Sequence, residues 1–163
     1  MNPRRTSICF LTILAIALFT AAPASAQVTT SPGKLSAYMT TPAFTVPGEG
    51  TKVVATVTIL RGQRGYVLEV DGLLQVYGPD ESVMYILLRA NGVIVYGDDP
   101  AVDCQGEVAC SLVATGWLDL DAAERSNPGK FIGKPLLIEM IAGNARVTVP
   151  SATATLRARL QSK

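Results

Sequence analysis

Residues 82–97 read SVMYILLRANGVIVYG. Two runs of apolar and β-branched residues flank the dipeptide Asn91-Gly92. A type I′ turn needs a positive φ at both of its central residues, and Asn and Gly tolerate that conformation best. The stretch therefore predicts a β-hairpin, and with it an antiparallel β domain.

The first strand of this hairpin is apolar on both of its faces. A strand with one face in water alternates apolar with polar residues, and residues 83–89 do not. One face holds Met84, Ile86 and Leu88, and the other holds Val83, Tyr85 and Leu87. We expect the second of these faces to be covered by a helix or loop of the same chain, or to form an interface with a second subunit.

Alternating apolar and polar residues, separated by turns rich in Gly and Pro, predict strands along the remaining chain. Residues 51–60 are typical, with Val53, Ala55, Val57 and Ile59 expected on the buried face. We predict a single all-β domain over residues 34–161, an antiparallel β-sandwich, Ig-like or jelly-roll-like, of roughly seven to nine strands. One short helix is predicted near residues 118–126 and is the candidate cover for the hairpin.

Three connections carry local signals. Residues 62–65 (GQRG) suggest a hairpin-like turn, and Gly143-Asn144 fits a two-residue type II′ turn between two further strands. The apolar residues change parity around Pro150, which predicts a bulge or bend at that point.

The N-terminus resembles an export signal. Arg4 and Arg5 precede an apolar run of about 15 residues, too short to span a bilayer, and a small-residue site ends at Ala26. We predict a cleaved signal peptide over residues 1–26, a flexible leader over 27–33, and a periplasmic or extracellular mature protein. No later segment is apolar enough to suggest a membrane span.

The charge balance argues against nucleic acid as a partner. Without Arg4 and Arg5, 12 basic and 13 acidic residues remain, so the formal charge changes from +1 to −1. Nucleic-acid binding and polybasic membrane contacts both need a basic surface.

Cys104 and Cys110 are the two cysteines left after the predicted cleavage. In an exported protein such a pair predicts a disulfide, which here closes the short loop CQGEVAC. The chain contains no His, which removes His-activated nucleophiles and His-ligated metal sites. We therefore expect a non-enzymatic protein.

Two groups of carboxylates offer other chemistry. Calcium prefers six to eight oxygen ligands, and the acidic loop offers four candidates: Asp98, Asp99, Asp103 and Glu107. The alternative is that they are solvated turn residues, since turns are commonly acidic. Asp119, Asp121 and Glu124 could act in a carboxylate-dependent hydrolase. Negative charge at the start of a helix explains the first two equally well.

Aromatic rings stack on the apolar faces of sugars. Trp117 is the leading candidate for such stacking, in company with Tyr66, Tyr77, Tyr85 and Tyr96. The sequence thus favours an exported binding or assembly protein, possible partners being an unknown protein, a second copy of itself or a surface glycan. A carbohydrate- or cell-surface-binding module is the first alternative, and a small hydrolase is the second.

Overall fold

The computed structural model describes residues 27–31, 34–77, 83–96, 102–103, 109–144 and 148–163. Their elements are eleven β-strands and one α-helix. In chain order they are β1 (Gln27–Ser31), β2 (Lys34–Thr40), β3 (Phe44–Val46), β4 (Gly50–Ile59), β5 (Tyr66–Tyr77), β6 (Val83–Ala90), β7 (Val93–Tyr96), β8 (Val102–Asp103), β9 (Ala109–Asp119), α1 (Leu120–Ser126), β10 (Leu136–Asn144) and β11 (Val149–Ser162).

The strands form two antiparallel sheets that pack face to face. Sheet A has the order β1-β2-β11-β5-β9, with β3 also paired to β11, and sheet B has the order β4-β10-β6-β7, with β8 also paired to β6. The predicted all-β sandwich with one short helix is confirmed. The described strands outnumber the expected seven to nine because the predicted first strand divides into β2 and β3 and because residues 27–31 of the predicted leader pair with β2.

The core lies between the sheets and follows the period of two that each strand imposes. Sheet A contributes residues such as Ala154, Leu156 and Ala158, which alternate along β11, and sheet B contributes residues such as Ile138 and Met140 of β10. Burying this apolar surface supplies the main favourable free energy of folding.

Asn91-Gly92 forms the predicted hairpin turn between β6 and β7. Asn91 has φ 46° and Gly92 has φ 79°, as a type I′ turn requires. The Asn91 side chain also accepts a hydrogen bond from the Leu137 N–H at 2.8 Å and donates to the carbonyls of Lys130 and Pro135. The turn is therefore fastened to the start of β10.

Two predicted hairpins are wrong, because the strands that they would join belong to different sheets. Residues 62–65 lead from β4 in sheet B to β5 in sheet A. Gly143 and Asn144 continue β10 and pair with both β4 and β6. The predicted irregularity near Pro150 is confirmed, since the register between β11 and β3 shifts between Val149 and Ala152.

The helix occupies a different place from the one expected. Asp119 caps its N-terminus by accepting hydrogen bonds from the N–H groups of Asp121 and Ala122, which satisfies two of the donors that a helix start leaves open. Its main contacts are with β5 and β9 of sheet A. The expectation that it covers the hairpin is wrong; sheet A itself covers the inner face of β6.

Candidate functional site

The outer face of sheet B is unusually apolar for a surface that turns away from the core. Strand pairing and alternation place seven apolar side chains on this side, and we call them the outer apolar face: Val53, Val83, Tyr85, Leu87, Ile94, Leu137 and Ile141. Val53, Leu137 and Ile94 are 42 to 58% exposed. Contiguous exposed apolar surface of this kind marks an interaction site more often than a plain solvent face.

Ile141 lies at the centre of this face. It stands opposite Leu87 on β6 and opposite Val53 on β4. Ile141 is only 7% exposed, although it is not part of the core cluster between the sheets. The outer apolar face therefore has a buried centre of its own and a half-exposed margin.

Tyr85 is held against the backbone of β10. Gly143 lies directly opposite Tyr85, and a Cβ at Gly143 would fall 2.1 Å from the Tyr85 ring. The ring thus occupies the space that any other residue at position 143 would fill. Only glycine permits this close approach of ring to strand.

One ion pair interrupts the apolar residues. Arg89 donates to Glu139 through Nε at 2.7 Å and Nη2 at 3.1 Å, a bidentate arrangement. This contact with Glu139 raises the pKa of Arg89, so the guanidinium stays charged. Because the two charges cancel, the centre of the outer face carries no net charge.

The sequence identified only part of this face. Val83, Tyr85 and Leu87 lie half-exposed on the outside of sheet B, as the doubly apolar pattern of β6 suggested. Ile141 and Leu137 were missed, although β10 shows the same signal of apolar residues at both parities. Val53 was expected in the core; a register shift between Met140 and Ile141 places it outside and Val54 inside.

The carboxylates considered for hydrolysis are engaged in structural contacts. Lys163 donates through Nζ to Asp119 at 2.7 Å and to Asp121 at 3.0 Å, and Gly65 N–H donates to Asp121. The hydrogen bond from Lys163 is the main reason that the pKa values of both carboxyls lie below their ordinary range. A general acid needs a raised pKa, and these groups are shifted in the opposite direction.

Glu124 organises the loop that follows α1. Its carboxylate accepts hydrogen bonds from the backbone N–H groups of Gly129, Phe131 and Ile132, at 2.5, 2.8 and 3.1 Å. These three donors, among which the N–H of Phe131 has the largest effect, hold the pKa of Glu124 below its ordinary value. Phe131 is fully buried, so the carboxylate fixes the point at which this loop enters the core.

The predicted aromatic cluster does not come together. Trp117 is 64% exposed on the outer face of sheet A, with Tyr77 on the same face but eight residues farther along the sheet, about 27 Å away. Tyr66 and Tyr96 pack against the core, and Tyr85 belongs to the outer apolar face. Tyr38, which the sequence reasoning did not single out, lies on the same face as Trp117.

The calcium and disulfide predictions fall mostly on residues outside the described ranges. Asp98, Asp99, Cys104 and Glu107 are not described, and Asp103 is described only as part of β8. Within the described ranges, no three metal-binding side chains come together. Both hypotheses stay predictions, as does the signal peptide over residues 1–26.

The described segments include no helix with the length and apolarity needed to cross a bilayer. No match to this chain was found among protein families, curated proteins or solved structures.

Proposed function

We propose that this chain is an exported, non-enzymatic β-sandwich protein that works by assembly, and that its interface is the outer apolar face of sheet B. The observation that carries the proposal is a run of half-exposed apolar side chains on β6, Val83, Tyr85 and Leu87, with Leu87 standing opposite the buried Ile141. Apolar side chains with a central, well-packed residue are the usual anatomy of a protein interface.

The occupant that fits best is a second copy of the same chain. The Arg89–Glu139 pair presents one positive and one negative charge side by side. A twofold interface brings the same patch of both copies together, so each Arg89 can approach the partner's Glu139 without repulsion. The formal charge of −1 expected for the mature chain adds little long-range repulsion between copies.

Two further features support a non-enzymatic role. The chain has no His, and the three carboxylates that could have replaced it bind Lys163 or backbone N–H groups. Export rests on the predicted signal peptide over residues 1–26.

The variant Leu87→Lys tests the proposal, because it places a charge beside Ile141, where a partner must exclude water. Sedimentation velocity of residues 27–163 should show a dimer for the unaltered protein and a monomer for Leu87→Lys. Val113→Lys is the matched control, since it makes the same kind of change at a 71% exposed position on the other sheet. If the control dissociated, or if Leu87→Lys remained a dimer, the outer apolar face would not be the assembly interface.

A further inference from the structure

We infer that the outer face of sheet A is a binding site for a neutral polysaccharide, independent of the assembly face on sheet B. The site consists of six side chains on four adjacent strands, which we call the tryptophan face: Trp117, Glu69, Arg159, Asp71, Arg157 and Tyr38.

Trp117 supplies the stacking surface. It lies on β9 with its side chain away from the core and 64% exposed. An indole ring carries the largest apolar area of any side chain together with an N–H donor, and leaving it in water is costly. A sugar ring, apolar on its faces and polar around its rim, matches both properties.

The polar groups beside Trp117 are held in fixed positions. Glu69 is opposite Trp117 on the neighbouring strand and is only 8% exposed, although it lies on the outside of the sheet. It accepts two hydrogen bonds from Arg159, through Nε and Nη2, each at 2.5 Å, and one from Gln161. A guanidinium carries five N–H donors, so Arg159 can bind Glu69 and still donate to a sugar hydroxyl.

The next cross-strand row carries a second carboxylate and a second guanidinium. Asp71 accepts a hydrogen bond from the Thr115 hydroxyl at 3.1 Å and stands opposite Arg157, and Arg157 stands opposite Tyr38. Tyr38 is 44% exposed. Four adjacent strands span about 14 Å at the usual strand spacing, which gives a long surface with an aromatic ring towards each side.

The charges on this face indicate a neutral ligand. Two carboxylates, Glu69 and Asp71, lie opposite two guanidinium groups, Arg159 and Arg157. Because these charges balance, the face offers donors and acceptors without a field that would select an anion or a cation. An uncharged glycan is the ligand class that needs hydrogen bonds of both kinds and an aromatic surface.

Intrinsic fluorescence tests the inference directly, because Trp117 is the only tryptophan in the chain. Residues 27–163 should be titrated with polygalacturonate as an acidic comparison and with four neutral probes: a soluble β-glucan, an unsubstituted xylan, a mannan and a fully N-acetylated chito-oligosaccharide. We expect a saturable shift of the emission with at least one of them. Calorimetry with that probe should show about tenfold weaker binding for Trp117→Ala and also for Arg157→Gln, while Leu60→Ala, at a 66% exposed position that belongs to neither face, binds normally.

Several results would overturn the inference. They are the absence of a response to all four neutral probes, equal binding by Trp117→Ala, and a response confined to the acidic polysaccharide polygalacturonate. Circular dichroism of each variant shows whether it is folded. The monomeric Leu87→Lys variant should bind the glycan as the unaltered protein does, so failure of the glycan site and failure of the assembly face can be told apart.

Discussion

At the scale of single residues, the carboxylates around α1 show how acidic side chains can be used for architecture. Glu124 gathers three backbone N–H groups from the loop that places Phe131 in the core. Asp119 both caps the helix and binds Lys163 at the end of the chain. These carboxylates thereby join α1 to the loop that follows it and to Lys163.

Glu124→Gln should make the free energy of unfolding less dependent on pH in the acid range. The pKa of Glu124 lies below its ordinary 4.5 in the folded chain, so the unfolded chain takes up the proton first as pH falls. The stabilisation is therefore complete above the ordinary pKa of a glutamate carboxyl and is lost as the pH falls through the lower pKa of the folded chain. Urea unfolding from neutral to acid pH should give the unaltered protein a larger free energy of unfolding than the variant at neutral pH. This difference should disappear in acid.

Glu49→Gln is the control for that series, since Glu49 is an exposed carboxylate in the turn before β4. If the unaltered protein and Glu124→Gln differed in free energy of unfolding by the same amount at all pH values, the carboxylate charge would not be what holds the loop.

Gly143→Ala should disturb the outer apolar face without touching the core. The new Cβ overlaps the ring of Tyr85, so the ring must leave its place over β10. We expect at least a tenfold weaker dimer, measured by sedimentation equilibrium. Full assembly by this variant would mean that the position of Tyr85 does not matter for the interface.

At the scale of elements, the hairpin β6–β7 owes its stability to more than its turn conformation. Asn91 provides the positive φ, and its side chain also joins the turn to β10 through three hydrogen bonds. The dipeptide Asn-Gly predicted the first role from local rules alone. The second could not be predicted, because it depends on residues 39 to 46 positions away.

Substitutions of Asn91 separate the two roles. Asn91→Gly keeps the backbone conformation and loses the side-chain hydrogen bonds, which should cost about 1 to 2 kcal/mol. Asn91→Ala also loses the side-chain hydrogen bonds, and holding alanine in the left-handed conformation adds about 1 kcal/mol to the destabilisation. Denaturant unfolding of the two variants should rank Asn91→Ala as the less stable; equal stability would assign the whole effect to the side chain.

The contact between β7 and β9 gives a second prediction at this scale. Gly116 faces Val95 so closely that a Cβ would lie 2.8 Å from the Val95 carbonyl oxygen. Gly116→Ala should therefore push β7 away from β9 and destabilise the fold by about 1 to 3 kcal/mol, as overpacking usually does. Thermal unfolding measures the loss, and an unchanged midpoint would contradict this account of the contact.

At the scale of the whole molecule, the sequence was most informative wherever a signal was local. The doubly apolar pattern of β6 pointed to the outer face of sheet B, and alternation identified most strands. Which strands share a sheet was not local: residues 62–65 look like a hairpin turn but connect the two sheets. The tryptophan face was not predicted from the sequence for the same reason, since Glu69, Arg159 and Trp117 become neighbours only through pairing across β5, β11 and β9.

The solution mass of residues 27–163, the chain that the predicted signal-peptide cleavage would leave, tests the central claim most directly. Light scattering after size exclusion, at micromolar concentration and with and without calcium, should give twice the mass of one chain in both conditions. A single-chain mass would contradict assembly through the outer apolar face. If the dimer formed only with calcium, the interface would instead be assigned to the acidic loop that contains Asp103.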